Sequence, residues 1–212
     1  EENVLKGYAM IIGPENTPYS YGHYFFVFDY PNNYPHSPPK VTFHNYGDNI
    51  RFNPNLYRNG KVCLSVLNTW KGEGWTSCQT ITTILLTLCT VFNDYPLLNE
   101  PGITMQQKEA VENYNKIISY KNIELAFLKC FINFHLLPEH FKFFLPVVRE
   151  NVEKNTNNIK ENIKNITKEY LIRESVVSQH YNMNIIMESK KIKSLLNELN
   201  KKLNKKLKNN IK

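Results

Sequence analysis

Apolar residues follow two rhythms along the chain. Near the N-terminus they form short blocks, Tyr8-Ala-Met-Ile-Ile12, His23-Tyr-Phe-Phe-Val-Phe28 and Lys40-Val-Thr-Phe43. β-Branched and aromatic residues in runs of this length predict three strands. Gly13-Pro14 and Asn16-Thr-Pro18 punctuate a turn after the first. Four prolines between Pro31 and Pro39 forbid helix before the third. From Gln79 the spacing changes: Ile81, Ile84, Leu85, Leu88 and Phe92 recur at helical intervals. The Thr and Ile content there favours strand, yet the spacing predicts a helix that ends by Tyr95-Pro96. A second helical pattern runs from Met105 to Phe134 with a break near Asn122. Leu137-Pro138 resets the chain, Phe141 to Val152 reads as a short apolar helix, and Asn151 to Lys168 as a polar one. In the tail, Ile192, Leu195, Leu196, Leu199, Leu203 and Leu207 make an amphipathic stripe opposite lysines.

Residues 44–70 carry little regular pattern, as a functional loop held by a scaffold would. Within them lies Arg51-Phe-Asn-Pro-Asn55-Leu-Tyr-Arg-Asn-Gly60-Lys-Val-Cys63-Leu64. A thiol is a strong nucleophile and can hold an acyl group as a thioester. An amide such as Asn55 can donate to the oxyanion formed when a thioester is attacked, or can instead organise its loop. Taken alone, a free cysteine is more often a small buried hydrophobe than a nucleophile.

Three blocks change that weighting. Asn53-Pro54-Asn55 with Gly60 and Val62-Cys63-Leu64, the proline block Tyr30-Pro31 to Phe43, and Ile12-Gly13-Pro14-Glu15-Asn16-Thr17-Pro18-Tyr19 stand in the order and spacing of ubiquitin-conjugating enzymes. The chain resembles that family, nearest the large subgroup typified by the Z and O enzymes and BRUCE. The subgroup's mark is a longer segment after Cys63, with Trp70 as well as Trp75, and Asn99-Glu100-Pro101-Gly102 further on; core packing is the plainer reading of Trp75 and an equal alternative for Trp70. The resemblance implies an α+β UBC fold: an antiparallel meander sheet packed against a central helix, with a C-terminal helical extension. It implies a catalytic core over residues 1–135, with the family's first helix missing, and a helical extension with a basic tail over 136–212.

The resemblance also implies chemistry and partners. Cys63 takes ubiquitin or a ubiquitin-like modifier from an activating enzyme and passes it to a lysine of a substrate protein or to a ligase cysteine. Asn55 supports that transfer. No cofactor or metal is implied, because ATP is used by the activating enzyme. Two departures stand out. The acidic residue common after the central helix is replaced by Leu97 or Leu98, leaving Asp94, Asn99 and Glu100 as acidic or polar gate candidates. The ligase-contact positions read His36, Thr76, Ser77 and Cys78 instead of the common pattern. The competing class is a non-catalytic UBC-like scaffold that binds ubiquitin; such variants lack the cysteine.

Composition narrows the partners. Among 212 residues, 42% are hydrophobic and 13% aromatic, enough for a folded core. No apolar run suggests a membrane span. The four cysteines have neither paired nor zinc-like spacing, which suits a reducing, cytoplasmic or nuclear, location. The net charge is +7, and nine Lys against two Glu in residues 188–212 account for all of it. A nucleic-acid partner rests on that charge alone, with no reading aromatics nearby. The bland reading of the tail is a solvated helix face, or a helix docked on its own domain.

Overall fold

The computed structural model describes residues 4–169 and 173–209; the end of the basic tail and the Leu207 side chain lie outside the described residues. Strands β1 (Lys6–Ile12), β2 (His23–Asp29) and β3 (Lys40–Phe43) form an antiparallel meander with β2 in the centre. Lys6 pairs with Asp29 and Ile12 with His23; Phe26 pairs with Phe43 and Asp29 with Lys40. Helices α1 (Ile81–Val91) and α2 (Lys108–Lys121) follow. The predicted central helix is thus present, and tertiary burial of Ile84, Leu88 and Val91 overrides the strand propensity of its Ile and Thr residues. Thr87 and Thr90 return their hydroxyls to the carbonyls of Thr83 and Thr87, both at 2.8 Å, so neither needs a partner outside the helix.

The expected break at Asn122 is a change of winding, not a gap. The chain passes from α2 into π-helical Asn122–Lys129 and then a short α3 (Cys130–Ile132). Residues Tyr120–Leu128 are all buried, so this rod runs through the centre of the molecule. Asn122 makes it fit: it accepts from the Tyr24 hydroxyl at 2.7 Å and donates to the Ser20 carbonyl at 2.9 Å. Gly22 permits the approach, since a Cβ there would stand 1.9 Å from the Asn122 amide oxygen.

β2 is covered on both faces, which is why it reads as an unbroken aromatic run. Tyr24 packs with Phe52 and Phe92 at ring distances of 5.8 and 4.7 Å. On the other side Phe25 meets Phe141 at 5.0 Å and Phe144 at 5.9 Å, both from the C-terminal extension. His23 is fully buried between Ala126, whose carbonyl is 2.9 Å from Nδ1, and Asn151, whose amide is 2.9 Å from Nε2. Burial lowers its pKa from 6.5 to about 4, so the ring is neutral at pH 7, with Nδ1 as donor and Nε2 as acceptor.

The extension corrects the expectation of a purely helical segment. A six-residue 3₁₀ stretch (Glu139–Phe144) leads into the long α4 (Leu145–Glu169), and α5 (Ser189–Asn209) is the last described element. Between the helices lies a β-hairpin, β4 (Arg173–Ser178) paired with β5 (Met183–Glu188). Its strands alternate buried and exposed: Val176, Ser178, Met183, Ile185 and Met187 point inward, and period two admits no helix. Nor is the tail an appendage. Ile192 and Leu199 of α5 belong to the same hydrophobic core as Ile11 of β1.

Candidate active site

The loop between β3 and α1 is short of regular structure but dense in backbone bonds. Isolated bridges join Thr42 to Lys61 and Leu56 to Val62. Gly60 turns the chain at φ +87°, where a Cβ would lie 2.9 Å from the Phe43 carbonyl oxygen. That turn brings Asn55 alongside Cys63. The Cys63 N–H donates to the Asn55 carbonyl at 2.9 Å, and Asn55 Nδ2 donates to the Cys63 carbonyl at 2.7 Å. The eight-residue separation is therefore a closed, doubly bonded loop. Asn55 Oδ1 is buried and, among the described residues, has no hydrogen-bond partner.

Asn53 anchors this loop to the end of α1. It is fully buried, donates Nδ2 to the Tyr19 hydroxyl at 2.9 Å and to the Val91 carbonyl at 2.7 Å, and accepts the Asn55 N–H on Oδ1 at 2.9 Å. Asn99 joins the same network, donating to Val91 at 3.1 Å and Asn53 Oδ1 at 3.5 Å, and Asn93 donates to Asn99 Oδ1 at 3.0 Å. Of the three gate candidates, Asn99 is thus tied directly to the loop of Cys63. Glu100 is half-buried and accepts from the Tyr181 hydroxyl of the extension. Asp94 is exposed, and its backbone carbonyl accepts from Asn115 at 2.6 Å.

Cys63 is 2% exposed. Its Sγ donates to the Thr69 carbonyl at 3.1 Å. Thr69 was not legible as a site residue, because nothing in its spacing reveals how tightly it folds back. Its hydroxyl donates toward the Val62 carbonyl at 2.8 Å and accepts the Leu64 N–H at 2.9 Å. Asn68, in the left-handed region at φ 56°, makes that reversal and receives the Trp75 N–H at 2.8 Å. The other thiols differ. Cys130 is buried, and that burial pushes its pKa up to about 12; burial also raises Cys89. Cys78 is exposed.

The four ligase-contact candidates lie together. His36, Thr76, Ser77 and Cys78 are exposed, and Ser77 Oγ is 3.4 Å from His36 Nδ1. Trp75 holds the two segments in place, its indole donating to the Pro35 carbonyl at 2.7 Å. Trp70 is 42% exposed, so core packing does not account for it. Among the described residues there is no His, Cys, Asp and Glu cluster able to hold a metal, and no helix long and apolar enough to cross a membrane.

The profile and the curated relatives name one family. The profile described as ubiquitin-conjugating enzyme matches residues 1–122. Ubiquitin-conjugating enzyme E2 Z of Homo sapiens is 42% identical over 126 residues, covering 58% of this chain and 36% of that protein. Its Danio rerio counterpart is 40% identical over 126 residues, covering 58% of this chain and 38% of that protein. The match thus spans little more than a third of these relatives' length. Among solved structures, the E2 domain of a Toxoplasma gondii ubiquitin conjugating enzyme is 28% identical with a TM-score of 0.46, covering 58% of this chain and 82% of that one.

Proposed function

This chain belongs to the ubiquitin-conjugating enzyme family, and from that premise we propose that Cys63 carries ubiquitin, or a ubiquitin-like modifier, as a thioester. In loading, the Cys63 thiolate attacks the thioester carbonyl presented by an activating enzyme; a new C–S bond forms and the activating enzyme's thiolate leaves. In discharge, a lysine amine attacks that carbonyl, an oxyanion forms, and collapse expels the Cys63 thiolate and leaves an amide. A ligase cysteine takes the acyl group by the same exchange of thiols. One observation supports the assignment: the paired bonds between Asn55 and Cys63 fix an amide donor on the backbone of the residue that carries this thiol.

Asn55 serves both of the roles open to it. Its bond to the Cys63 carbonyl pins the loop, and an amide nitrogen has two N–H groups, which leaves one for the oxyanion. Asn99 holds Asn53, and through it the Asn55 N–H. The exposed face of His36 and Ser77 suits a ligase that reads a different surface from the family's common one.

The test is thioester formation on a non-reducing gel, with a panel of activating enzymes and modifiers. Cys63→Ala abolishes the reducible adduct, and Cys63→Ser leaves a hydroxylamine-resistant, alkali-labile oxyester. An adduct that persists in Cys63→Ala overturns the assignment. The burial of Cys63 favours the scaffold reading instead if wild-type protein binds modifier but never loads it.

A further inference from the structure

The hairpin turn of the extension reaches the loop of Cys63. Tyr181 sits between β4 and β5 in the left-handed region, φ 66°, and Asn182 follows at φ 49°. A tyrosine in that region is strained and persists where its surroundings hold it. Here they do so on several sides. Its hydroxyl donates to the Glu100 carboxylate, its carbonyl accepts from the Arg58 guanidinium, and its ring meets Tyr114 edge-on at 6.0 Å.

The ring also covers Arg51. The guanidinium carbon lies 3.6 Å from the Tyr57 ring centroid and 4.3 Å from that of Tyr181. From that position Nε donates to the Asn53 carbonyl at 3.4 Å and Nη2 donates to the Pro54 carbonyl. These are the two peptide units that precede Asn55. The Arg51 backbone is fixed as well: its carbonyl accepts from the Tyr114 hydroxyl at 2.8 Å, and its N–H points to the Met183 sulfur at 3.4 Å.

We propose that Tyr181 is a positioning residue for the active site: its ring holds Arg51, and Arg51 holds the Asn53 and Pro54 carbonyls that set where Asn55 stands beside Cys63. The reading rests on the proposed function of Cys63. A guanidinium presents several donors in a rigid plane and stacks on rings, so it can grip two carbonyls while lying against an aromatic face. Without the Tyr181 ring, the guanidinium keeps only the Tyr57 face and loses its cover on the other ring, and its grip on the two carbonyls loosens. Tyr181 also grips Glu100, so one residue of the extension touches both the segment before Cys63 and the segment after α1. Catalytic groups tolerate little displacement; about 1 Å can cost on the order of 100-fold in rate.

The experiment compares loading and discharge in wild type, Tyr181→Ala, Tyr181→Phe, Arg51→Lys and the Arg51→Lys/Tyr181→Ala double variant. The expected result for Tyr181→Ala is normal loading of Cys63 with discharge to free lysine slowed about 10- to 100-fold. Tyr181→Phe keeps the ring over Arg51 and restores most of the rate. Arg51→Lys slows discharge to a like degree, and the double variant is no slower than either single one. Equal loss of loading and discharge in Tyr181→Ala, or additive losses in the double variant, overturns the proposal. So does a Tyr181→Phe as slow as Tyr181→Ala. Hydrogen exchange supplies a readout independent of activity: Tyr181→Ala speeds exchange of the Cys63 amide while the α1 amides of Leu88 and Val91 keep their protection. If wild-type protein never loads, the functional reading fails, and the exchange result still decides whether Tyr181 orders the loop.

Discussion

At its hairpin turn the extension meets the loop of Cys63 through rings, a guanidinium and backbone carbonyls. At the start of α5 it meets the central rod through ammonium groups gathered round one carboxylate. Glu124 is fully buried there, with Lys121 at 2.9 Å, Lys129 at 2.7 Å and Lys191 of α5 at 2.7 Å; Asp48 completes the group through Lys121. Burial by itself would raise the Glu124 pKa, but the three lysines override it and hold it at about 2. The first contact is directional and fixes orientation. The second is ionic and fixes whether α5 stays docked. The difference predicts that substitutions at the turn change rate, whereas substitutions at the anchor change stability.

The largest effect falls on the anchor. Glu124→Ala leaves buried Lys121 without its inner partner and costs about 3–5 kcal/mol of stability. Urea unfolding measures it, and loading per folded molecule stays at the wild-type value. Next comes the loop itself. Asn55→Ala removes a donor from the reacting carbonyl and slows discharge about 10²–10³-fold, equivalent to roughly 2.7–4 kcal/mol. Loss of its pinning bond costs about 0.5–1.5 kcal/mol of stability. Single-turnover discharge and thermal unfolding on the same variant separate the two, and slow discharge that only tracks unfolding would count against the oxyanion role.

Acid sharpens the contrast through two windows, one at a buried ring and one at the anchor. The His23 pKa is depressed from 6.5 to about 4, so between those values the unfolded chain binds more protons than the folded one, and stability falls as pH falls. Glu124 is depressed from 4.5 to about 2; its contribution is complete above 4.5 and is lost as pH drops through that lower range. Each shift corresponds to roughly 3 kcal/mol. Unfolding free energy measured from pH 7 to 3 therefore declines first below 6.5, and His23→Gln flattens that first slope alone. The smallest effect is at the rim: Lys191 is 43% exposed, and Lys191→Ala costs about 1 kcal/mol, against nothing measurable for Lys108→Ala at the exposed Lys108–Glu112 pair.

Much of this was legible in the residues. The three strands, the helix at Ile81 and the change at Asn122 follow from spacing that survives as burial. The loop from Asn53 to Cys63 was legible because its turn glycine, amides and thiol sit close in sequence. The hairpin of β4 and β5 was not, since each strand has six residues and the helix it packs on, α2, whose Tyr114 meets Tyr181 of the turn, lies far away in the chain. The docking of α5 was hidden for another reason. A leucine stripe opposite lysines is the same pattern whether the helix packs at home or elsewhere, and what selects the former, the core around Ile192 and Leu199 and the Glu124 buried 67 residues before Lys191, lies far off in the chain. Asn53 shows the converse case: only part of a loop motif in the sequence, it proves to be the weld between the loop and α1.

The thiol's contact with Thr69 has a consequence for the proposed thioester. The S–H bond that donates to the Thr69 carbonyl exists only while sulfur keeps its proton. Once ionised, sulfur has nothing to give, and two electron-rich atoms face each other at a distance set for attraction. The Thr69 hydroxyl grips Val62 and Leu64 independently of the thiol, and the chain that follows Thr69 is exposed. In the proposed thioester the sulfur carries no proton, so loading Cys63 and keeping this contact exclude each other.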